Sequence, residues 1–210
     1  MGVHVVSTDE ITGVQALERA APTQPMEHGQ PERREFEYIR HGTQSMMINF
    51  EVATGQVIAP SIGDTRTEAD FVAHIEQTIA TDPDGVWVFV LDNLNTHQSA
   101  RLVQLVAAQC GITDDLGVKG KSGILQSMAS RAAFLSDPTH RIQMVYVPKH
   151  TSWLNQVEIW LSILVRRVIK RGNFPSVADL KQKVLDFIDY FNRTLAKPFQ
   201  WTYRGRPLVV

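Results

Sequence analysis

A run of six apolar residues, from Val86 to Leu91, ends at an acid, Asp92. An unbroken apolar run of this length predicts a strand that is buried on both faces, in the middle of a sheet that helices cover. Asp92 would then lie at the carboxyl end of the strand, where open α/β sheets usually place their chemistry. A carboxylate beside so apolar a strand needs a partner, and a divalent metal ion is a natural one.

The residues before this strand predict an antiparallel meander followed by a helix. Turn residues and alternating apolar positions delimit the elements, and a proline-containing, charged stretch at residues 19–35 predicts an irregular excursion. The predicted strands cover residues 3–8, 36–52 and 56–62, and the helix covers residues 67–80.

The residues after the strand predict a helix, an insertion, one more strand and two helices. The predicted helix covers residues 99–108, and the insertion or flap covers residues 112–140 with a helical piece at 124–134. The predicted strand covers residues 141–147, and the last two helices cover residues 154–170 and 176–193. This order predicts an α/β fold with a mixed sheet. With 210 residues, of which 43% are hydrophobic, the chain is expected to form a single domain over residues 1–210.

Three acids fall at comparable places along these elements. Asp9 is expected to end the first strand, Asp92 ends the strand described above, and Glu158 lies near the start of the helix at 154–170. If the two strands are neighbours, Asp9 and Asp92 lie side by side and Glu158 can close the cluster. Such a trio of oxygen ligands suits one or two Mg²⁺ ions acting on a phosphate. Taken singly, each acid is more simply a turn or capping residue, or an acid favoured by the helix dipole.

Charge is nearly balanced over the chain but unevenly distributed. Residues 141–210 carry 12 lysines and arginines against 4 acids, whereas residues 1–140 carry 9 against 18. Within the basic part, the helix at 154–170 ends in a run of four cations: Arg166, Arg167, Lys170 and Arg171. Such a run is compatible with a polyanionic partner, and equally with a solvated helix face.

Other features favour an intracellular protein. The one cysteine, Cys110, excludes an internal disulfide and is most simply a small packing residue. No apolar run approaches the length needed to span a membrane, and the start of the chain lacks the pattern of a signal peptide. We therefore expect a soluble, cytoplasmic protein.

Three segments resemble the catalytic blocks of bacterial insertion-sequence transposases, the mariner-like group of the DDE superfamily. They are STDE at residues 7–10, VLDNLNTH at residues 90–97 and PKHTSWLNQVE at residues 148–158, of which the third is the most specific. The resemblance extends over nearly the whole chain in the same order, through VQALER at 14–19, YIRHGT at 38–43, VATG at 52–55 and KPFQWT at 197–202.

The resemblance implies a ribonuclease H-like fold with a mixed five-stranded sheet flanked by helices. It implies metal-dependent cleavage of DNA at insertion-sequence ends and joining to target DNA, with Asp9, Asp92 and Glu158 as catalytic metal ligands. The implied cofactor is Mg²⁺ or Mn²⁺, as two ions. The implied setting is the bacterial cytoplasm, nucleoid-associated when DNA is bound, and a homodimer is a common assembly in this group.

Two departures from the group's pattern stand out. Members of the group normally carry helix-turn-helix segments ahead of the first catalytic block, and this sequence starts shortly before that block, so we expect an isolated catalytic domain or a truncated copy. In addition, 65 residues separate Asp92 from Glu158, more than in the mariner branch. The extra length falls in residues 112–140, whose role the sequence leaves open.

Several other residues have two interpretations each. His97 could contact a phosphate or orient a water, or it could be a capping or packing residue. Trp153 could stack on a base, although burial in the core is favoured. Asn93 most simply belongs to a turn, and Asn155 could cap the helix that carries Glu158. Next to a phosphate-cleaving site, the basic run from Arg166 to Arg171 would suit contacts with the DNA backbone.

Two rival functions remain open. One is a nuclease of the same fold that cuts DNA without joining strands. The other is a catalytically idle remnant that only binds DNA or dimerises. The intact trio of acids argues against the remnant, whereas the missing helix-turn-helix segments argue for it.

Overall fold

The computed structural model describes residues 2–148, 151 and 154–200. These residues form five strands: β1 (Val3–Arg19), β2 (Tyr38–Glu51), β3 (Gln56–Gly63), β4 (Val86–Leu91) and β5 (Ile142–Tyr146). They form five α-helices: α1 (Glu68–Ile79), α2 (Ala100–Gln109), α3 (Met128–Leu135), α4 (Gln156–Leu164) and α5 (Val177–Thr194). A short 3₁₀ helix covers Asn95–Gln98, and a π-helical turn, Val165–Ile169, extends α4.

The five strands form one mixed sheet in the order β3-β2-β1-β4-β5. Strands β1, β2 and β3 pair antiparallel, while β4 pairs parallel with both β1 and β5. This arrangement confirms the predicted meander, the mixed sheet and the expected adjacency of the first strand and the strand at Val86–Leu91. The centre of the sheet is β1, however, and not β4 as the apolar run had suggested.

Strand β1 is much longer than predicted. It continues through Asp9 to Arg19 because β2 pairs with it over that length, with irregularities near Ile11 and near Gln15. Strand β4 pairs only with the first part of β1, from Val3 to Ser7. Asp9 is therefore inside a strand rather than at its end, but it lies just beyond the part that β4 covers.

Two hydrophobic cores lie on opposite faces of the sheet. The first core joins the buried side chains of Trp87, Phe89 and Leu91 to helices α1, α2 and α3. The second core joins inward side chains of β1, β2 and β3, such as Phe50, to α4 and α5, where Trp160 is fully buried.

Strand β4 is buried on one face only. Trp87, Phe89 and Leu91 are buried, whereas the alternate residues between Val86 and Val90 are half-buried. Burial of both faces was the wrong prediction, because α4 and α5 pack over β1, β2 and β3 instead of over β4.

The helices begin where the sequence predicts, within a few residues. Thr67 caps α1 in a capping box with Asp70, and Ser99 and Ser176 cap α2 and α5 by accepting a backbone N–H. Each cap satisfies one of the backbone N–H groups that a helix leaves unpaired at its start. Within the described residues, no helix is both long and apolar enough to cross a membrane.

The insertion at residues 112–140 is packed against the first core. Leu125 and Leu135 are buried in that core. Arg131 is also buried, and it donates to the carbonyl oxygens of Gln98 and Leu125 at 2.7 and 3.0 Å. This segment, through α3, covers the outer strand β5, since Ser136 donates to the carbonyl oxygen of Met144.

His4 should make the stability of the fold depend on pH. Its Nδ1 lies 2.6 Å from Glu51 and its Nε2 lies 3.0 Å from Asp82, and the ring stacks on Trp87. The hydrogen bond to Glu51 is the main cause that raises the pKa of His4, and the hydrogen bond to Asp82 raises it further. Burial acts in the opposite direction. A raised pKa stabilises the fold fully below pH 6.5, and this stabilisation is lost as pH rises through the folded-state value.

We therefore expect His4→Gln to lower the free energy of unfolding more at pH 6 than at pH 9, as measured by urea denaturation at both values. His28→Gln, at an exposed position, is the control and should show little effect at either pH. An equal loss for His4→Gln at both pH values would contradict this account.

Candidate active site

The register of β1 against β4 brings Asp9 and Asp92 to the same level of the sheet. The pairs run from Val3 opposite Val86 to Ser7 opposite Val90, and two further residues in the same register place Asp9 opposite Asp92. Side chains alternate between the faces of a strand, so Asp9 shares a face with Ser7. Ser7 contacts the start of α4. Asp9 therefore lies on the face of the sheet that α4 and Glu158 occupy.

A buried hydrogen-bond network fixes the start of α4 on β1. The Oγ of Ser7 accepts the backbone N–H of Val157 at 2.8 Å and donates to Oδ1 of Asn155. The Nδ2 of Asn155 donates to the carbonyl oxygen of Thr8 at 2.9 Å. Both Ser7 and Asn155 are 1% exposed. This network holds Glu158, in the first turn of α4, next to the part of β1 that carries Asp9.

Asn155 occupies the predicted capping position, but its side chain does not cap the helix. Ser7 supplies that hydrogen bond from β1 instead. A local sequence pattern cannot identify Ser7 in this role, because the two segments are about 150 residues apart in the chain.

The carboxyl group of Asp9 is surrounded by negative charge. Burial is the main cause that raises the pKa of Asp9 to about 6, and the negative charges of Asp92, Glu10 and Glu158 raise it further. The backbone N–H of Glu10, which donates to Asp9 at 2.8 Å, acts in the opposite direction. Asp92 and Glu158 are therefore close enough to Asp9 for their charges to repel its carboxylate. A bound cation would remove this repulsion. Among the described residues, no group of three or more histidine, cysteine, aspartate or glutamate side chains is already arranged to hold a metal ion.

Asp92 has one carboxylate oxygen engaged. Its Oδ1 accepts the backbone N–H of Leu94 at 2.9 Å and lies 2.8 Å from Nδ1 of His97. The hydrogen bond from His97 lowers the pKa of Asp92 despite partial burial. The side chain is 39% exposed, so Asp92 stays ionised and accessible at the edge of the sheet.

His97 is enclosed between two carboxylates. Its side chain is 0% exposed, with Nε2 3.1 Å from Glu10 and the ring 4.3 Å from that of Phe71. Burial alone lowers the pKa of His97, but the hydrogen bonds and charges of Asp92 and Glu10 together raise it to about 9. At neutral pH both ring nitrogens therefore carry protons and donate.

The enclosure of His97 argues against the predicted contact with a DNA phosphate, since the ring has no surface that DNA could reach. An orienting role fits its two hydrogen bonds. Glu10 was missed in this setting because its partner is 87 residues away along the chain. The one signal was its place directly after Asp9, which puts its side chain on the opposite face of β1.

The remaining predictions fall in three groups. Asn93 donates to the carbonyl oxygen of Val147 at 2.6 Å, which joins the ends of β4 and β5 and fits the turn interpretation. Cys110 packs against the first core, as a small apolar residue would. Trp153 lies outside the described residues, and so does part of the third block of the family pattern.

Three of the four predicted basic residues line one surface cleft. The cleft, of about 710 Å³, has Arg166, Arg167 and Arg171 on its wall together with Lys197. The rest of the wall is apolar, from Ile163, Phe191, Leu195 and Phe199. Lys170 lies on a neighbouring surface beside Tyr38 and Gly172. We call the first group (Arg166, Arg167, Arg171 and Lys197) the basic cleft.

Ser7 and Asn155 should be strongly coupled. Replacing either by alanine leaves a buried polar group of the other without its partner, which costs roughly 1–3 kcal/mol of stability. In a double-mutant cycle followed by urea denaturation, we expect an interaction energy of roughly 1–3 kcal/mol between Ser7→Ala and Asn155→Ala.

Ser176→Ala, which removes the cap of α5, is the matched control for this cycle. Combined with Asn155→Ala it should be additive to within about 0.5 kcal/mol, because the two sites share no partner. Additivity of the Ser7 and Asn155 variants would show that the network does not hold α4 on β1.

Comparison with known proteins places this site in a family. Two solved structures, a Mos1 transposase paired-end complex with the left transposon end and a pre-cleavage Mos1 transpososome, share the fold with a TM-score of 0.52 each. They are 10% and 12% identical, and the matches cover 88% of this chain. The chain spans about half the length of those proteins, 47% and 48% respectively. No curated protein sequence is similar enough to count as a match.

The fold is thus the ribonuclease H-like fold of transposase catalytic domains. A family model described as DDE superfamily endonuclease matches residues 4–181, a span that contains Asp9, Asp92 and Glu158. Since this match covers most of the chain, the protein belongs to the DDE superfamily of endonucleases.

Proposed function

We propose that the chain is the catalytic domain of a transposase that cuts DNA at transposon ends and joins the freed ends to target DNA. The observation that carries this proposal is the pair of contacts that positions the acids. The β1–β4 register sets Asp9 level with Asp92, and Ser7 seats the start of α4, which carries Glu158, on the same part of β1. We infer that the three carboxylates close around a metal ion from these positions. Family membership supports the DNA-cleaving part of the proposal.

The chemistry of the donor set fits a divalent metal ion. Carboxylate oxygens are the ligands that Mg²⁺ and Mn²⁺ prefer, and Asp9, Asp92 and Glu158 would hold the cation or cations. One oxygen each of Asp9 and Asp92 is already engaged by a backbone N–H, which leaves the other oxygen of each for a ligand bond. Divalent ions bound there would supply the positive charge that polarises a phosphodiester and stabilises its leaving oxygen.

The charge of the acids would require metal ions to bind before DNA does. Three carboxylates with Glu10 nearby repel a DNA phosphate, so the site favours phosphate binding only after its negative charge is compensated. The partial exposure of Asp92 leaves the edge of the sheet open to a large substrate. No protein side chain is needed as the nucleophile. In cleavage, water would attack the phosphorus and release the 3′-oxygen of the transposon end; in joining, that 3′-hydroxyl would attack a target phosphorus and release a 3′-oxygen of the target strand.

The basic cleft would hold the DNA backbone near this site. Arg166, Arg167 and Arg171 are exposed. Within the described part of the chain, none of them pairs with an acid. Arg166 follows Glu158 by eight residues on a continuous helix, roughly 12 Å along its axis. That span is roughly three to four base-pair steps, so one duplex could contact both places.

Asp92→Asn should abolish metal-dependent nicking of supercoiled plasmid in Mg²⁺ or Mn²⁺. Loss of one ligand charge removes several kcal/mol of stabilisation, which corresponds to a rate loss of roughly 10³-fold. Asp84→Asn, at an exposed turn, is the control and should cut at the normal rate.

Joining of a pre-cut, labelled end to a target plasmid completes this test. Nicking without joining would identify a plain nuclease of the same fold. Nicking that survives Asp92→Asn would contradict the proposed site, and the absence of any Asp92-dependent activity would favour the idle remnant.

The double variant Arg166→Gln with Arg167→Gln should weaken DNA binding similarly for all sequences. Each lost phosphate contact reduces the slope of log affinity against log salt concentration by about 0.9, so we expect a reduction of about 2 for the pair. The matched control is Arg101→Gln with Lys121→Gln, two exposed cations in α2 and in the insertion, which both pack against the first core. Fluorescence anisotropy with labelled duplex at several salt concentrations measures both slopes, and equal slopes for the two double variants would exclude the basic cleft.

A further inference from the structure

We propose that Glu10 and His97 form a buried clamp that positions the carboxylate of Asp92 for metal binding. This inference rests on the proposed function, since it takes Asp92 as a metal ligand. It assigns a role to Glu10, which the pattern of three acids leaves unexplained, and it makes both Glu10 and His97 positioning residues.

The clamp is a chain of contacts that crosses from β1 to the end of β4. Arg66 lies 3.2 Å from Oε1 of Glu10, Oε2 of Glu10 lies 3.1 Å from Nε2 of His97, and Nδ1 of His97 lies 2.8 Å from Oδ1 of Asp92. Both ring nitrogens therefore face a carboxylate from a different segment. The contacts fix the distance between β1, which carries Asp9, and the loop that carries Asp92.

The surroundings of His97 prevent its ring from turning. The ring packs on Phe71, and the hydroxyl of Tyr146 donates to the backbone carbonyl of His97 at 2.8 Å. The side chains of His97 and Glu10 are 0% and 8% exposed. A buried carboxylate is costly unless it is paired, so turning the His97 ring would leave Glu10 buried without its partner.

The consequence for Asp92 is a restricted carboxylate. Oδ1 accepts the N–H of Leu94 and forms an ion pair with Nδ1 of His97 at 2.8 Å, so the side chain cannot swing into another rotamer without losing both. Nδ1 also donates to the backbone carbonyl oxygen of Asp92 at 3.3 Å, which holds the backbone at this residue. Oδ2 is thereby directed away from the clamp. Groups that orient a metal ligand in this way typically change metal affinity by 10–100-fold when they are removed.

Two substitutions at His97 separate positioning from simple stability. Asparagine places its side-chain amide nitrogen near the position of Nδ1 and keeps the contact with Asp92. Glutamine places it near the position of Nε2 and keeps the contact with Glu10 instead. If His97 only stabilises the fold, metal affinity should follow the stability of each variant and not the identity of the contact that remains.

The experiment is Mn²⁺ binding to the full chain, followed by electron paramagnetic resonance of the free ion. We expect His97→Gln to weaken Mn²⁺ binding by 10–100-fold, and His97→Asn to bind within a few-fold of the wild type. Glu10→Ala should weaken binding by no more than His97→Asn does, because both remove the contact with Glu10 and keep the one with Asp92. Glu10→Gln should restore most of that loss, since glutamine can still accept from Nε2. Urea denaturation of each variant reports its stability.

The outcomes distinguish the clamp from the site on which it rests. If Asp92→Asn binds Mn²⁺ as the wild type does, the assignment of Asp92 as a ligand fails, and the proposed function fails with it. If Asp92→Asn loses binding but His97→Gln keeps it, or if both His97 variants lose it equally, only the clamp is overturned.

Discussion

The parallel pairing of β1 with β4 is the constraint on which the site depends. Pairing stops at Ser7 and Val90, while β1 continues alongside β2 for another dozen residues. The sheet therefore ends on its β4 side at this point, and Asp9 pairs with Ile48 of β2 but has no strand beside it on the other side.

Neighbouring residues of β1 in this region face opposite sides of the sheet. Ser7 and Asp9 face α4 on one side of β1, and Glu10 lies with His97 near α1 on the other. The period of two along a strand thus separates Asp9, the acid proposed to bind metal, from Glu10, which pairs with His97 on the other face. A shift of one residue in the β1–β4 register would exchange the two faces, so the apolar cores that set the register also protect the site.

Much of this arrangement follows from local sequence. The apolar run at Val86–Leu91 identifies β4, and the capping residues Thr67 and Ser99 identify the helix starts. The family resemblance points to Asp9, Asp92 and Glu158 as candidate ligands, and this stays a prediction. The full length of β1 does not follow, because its polar middle is stabilised by pairing with β2 rather than by its own pattern. The roles of Ser7 and Glu10 do not follow either. Each depends on a partner that is distant in the chain, and periodicity carries no information about such contacts.

The network between Ser7 and Asn155 has a consequence for how the protein is made. Asp9 is synthesised well before the helix that carries Glu158, which can dock on Ser7 only after about 150 further residues have been translated. Domains generally fold as units during synthesis, and contacts between distant segments form late. The contact that seats Glu158 beside β1 can therefore form only after all five strands of the sheet have been synthesised.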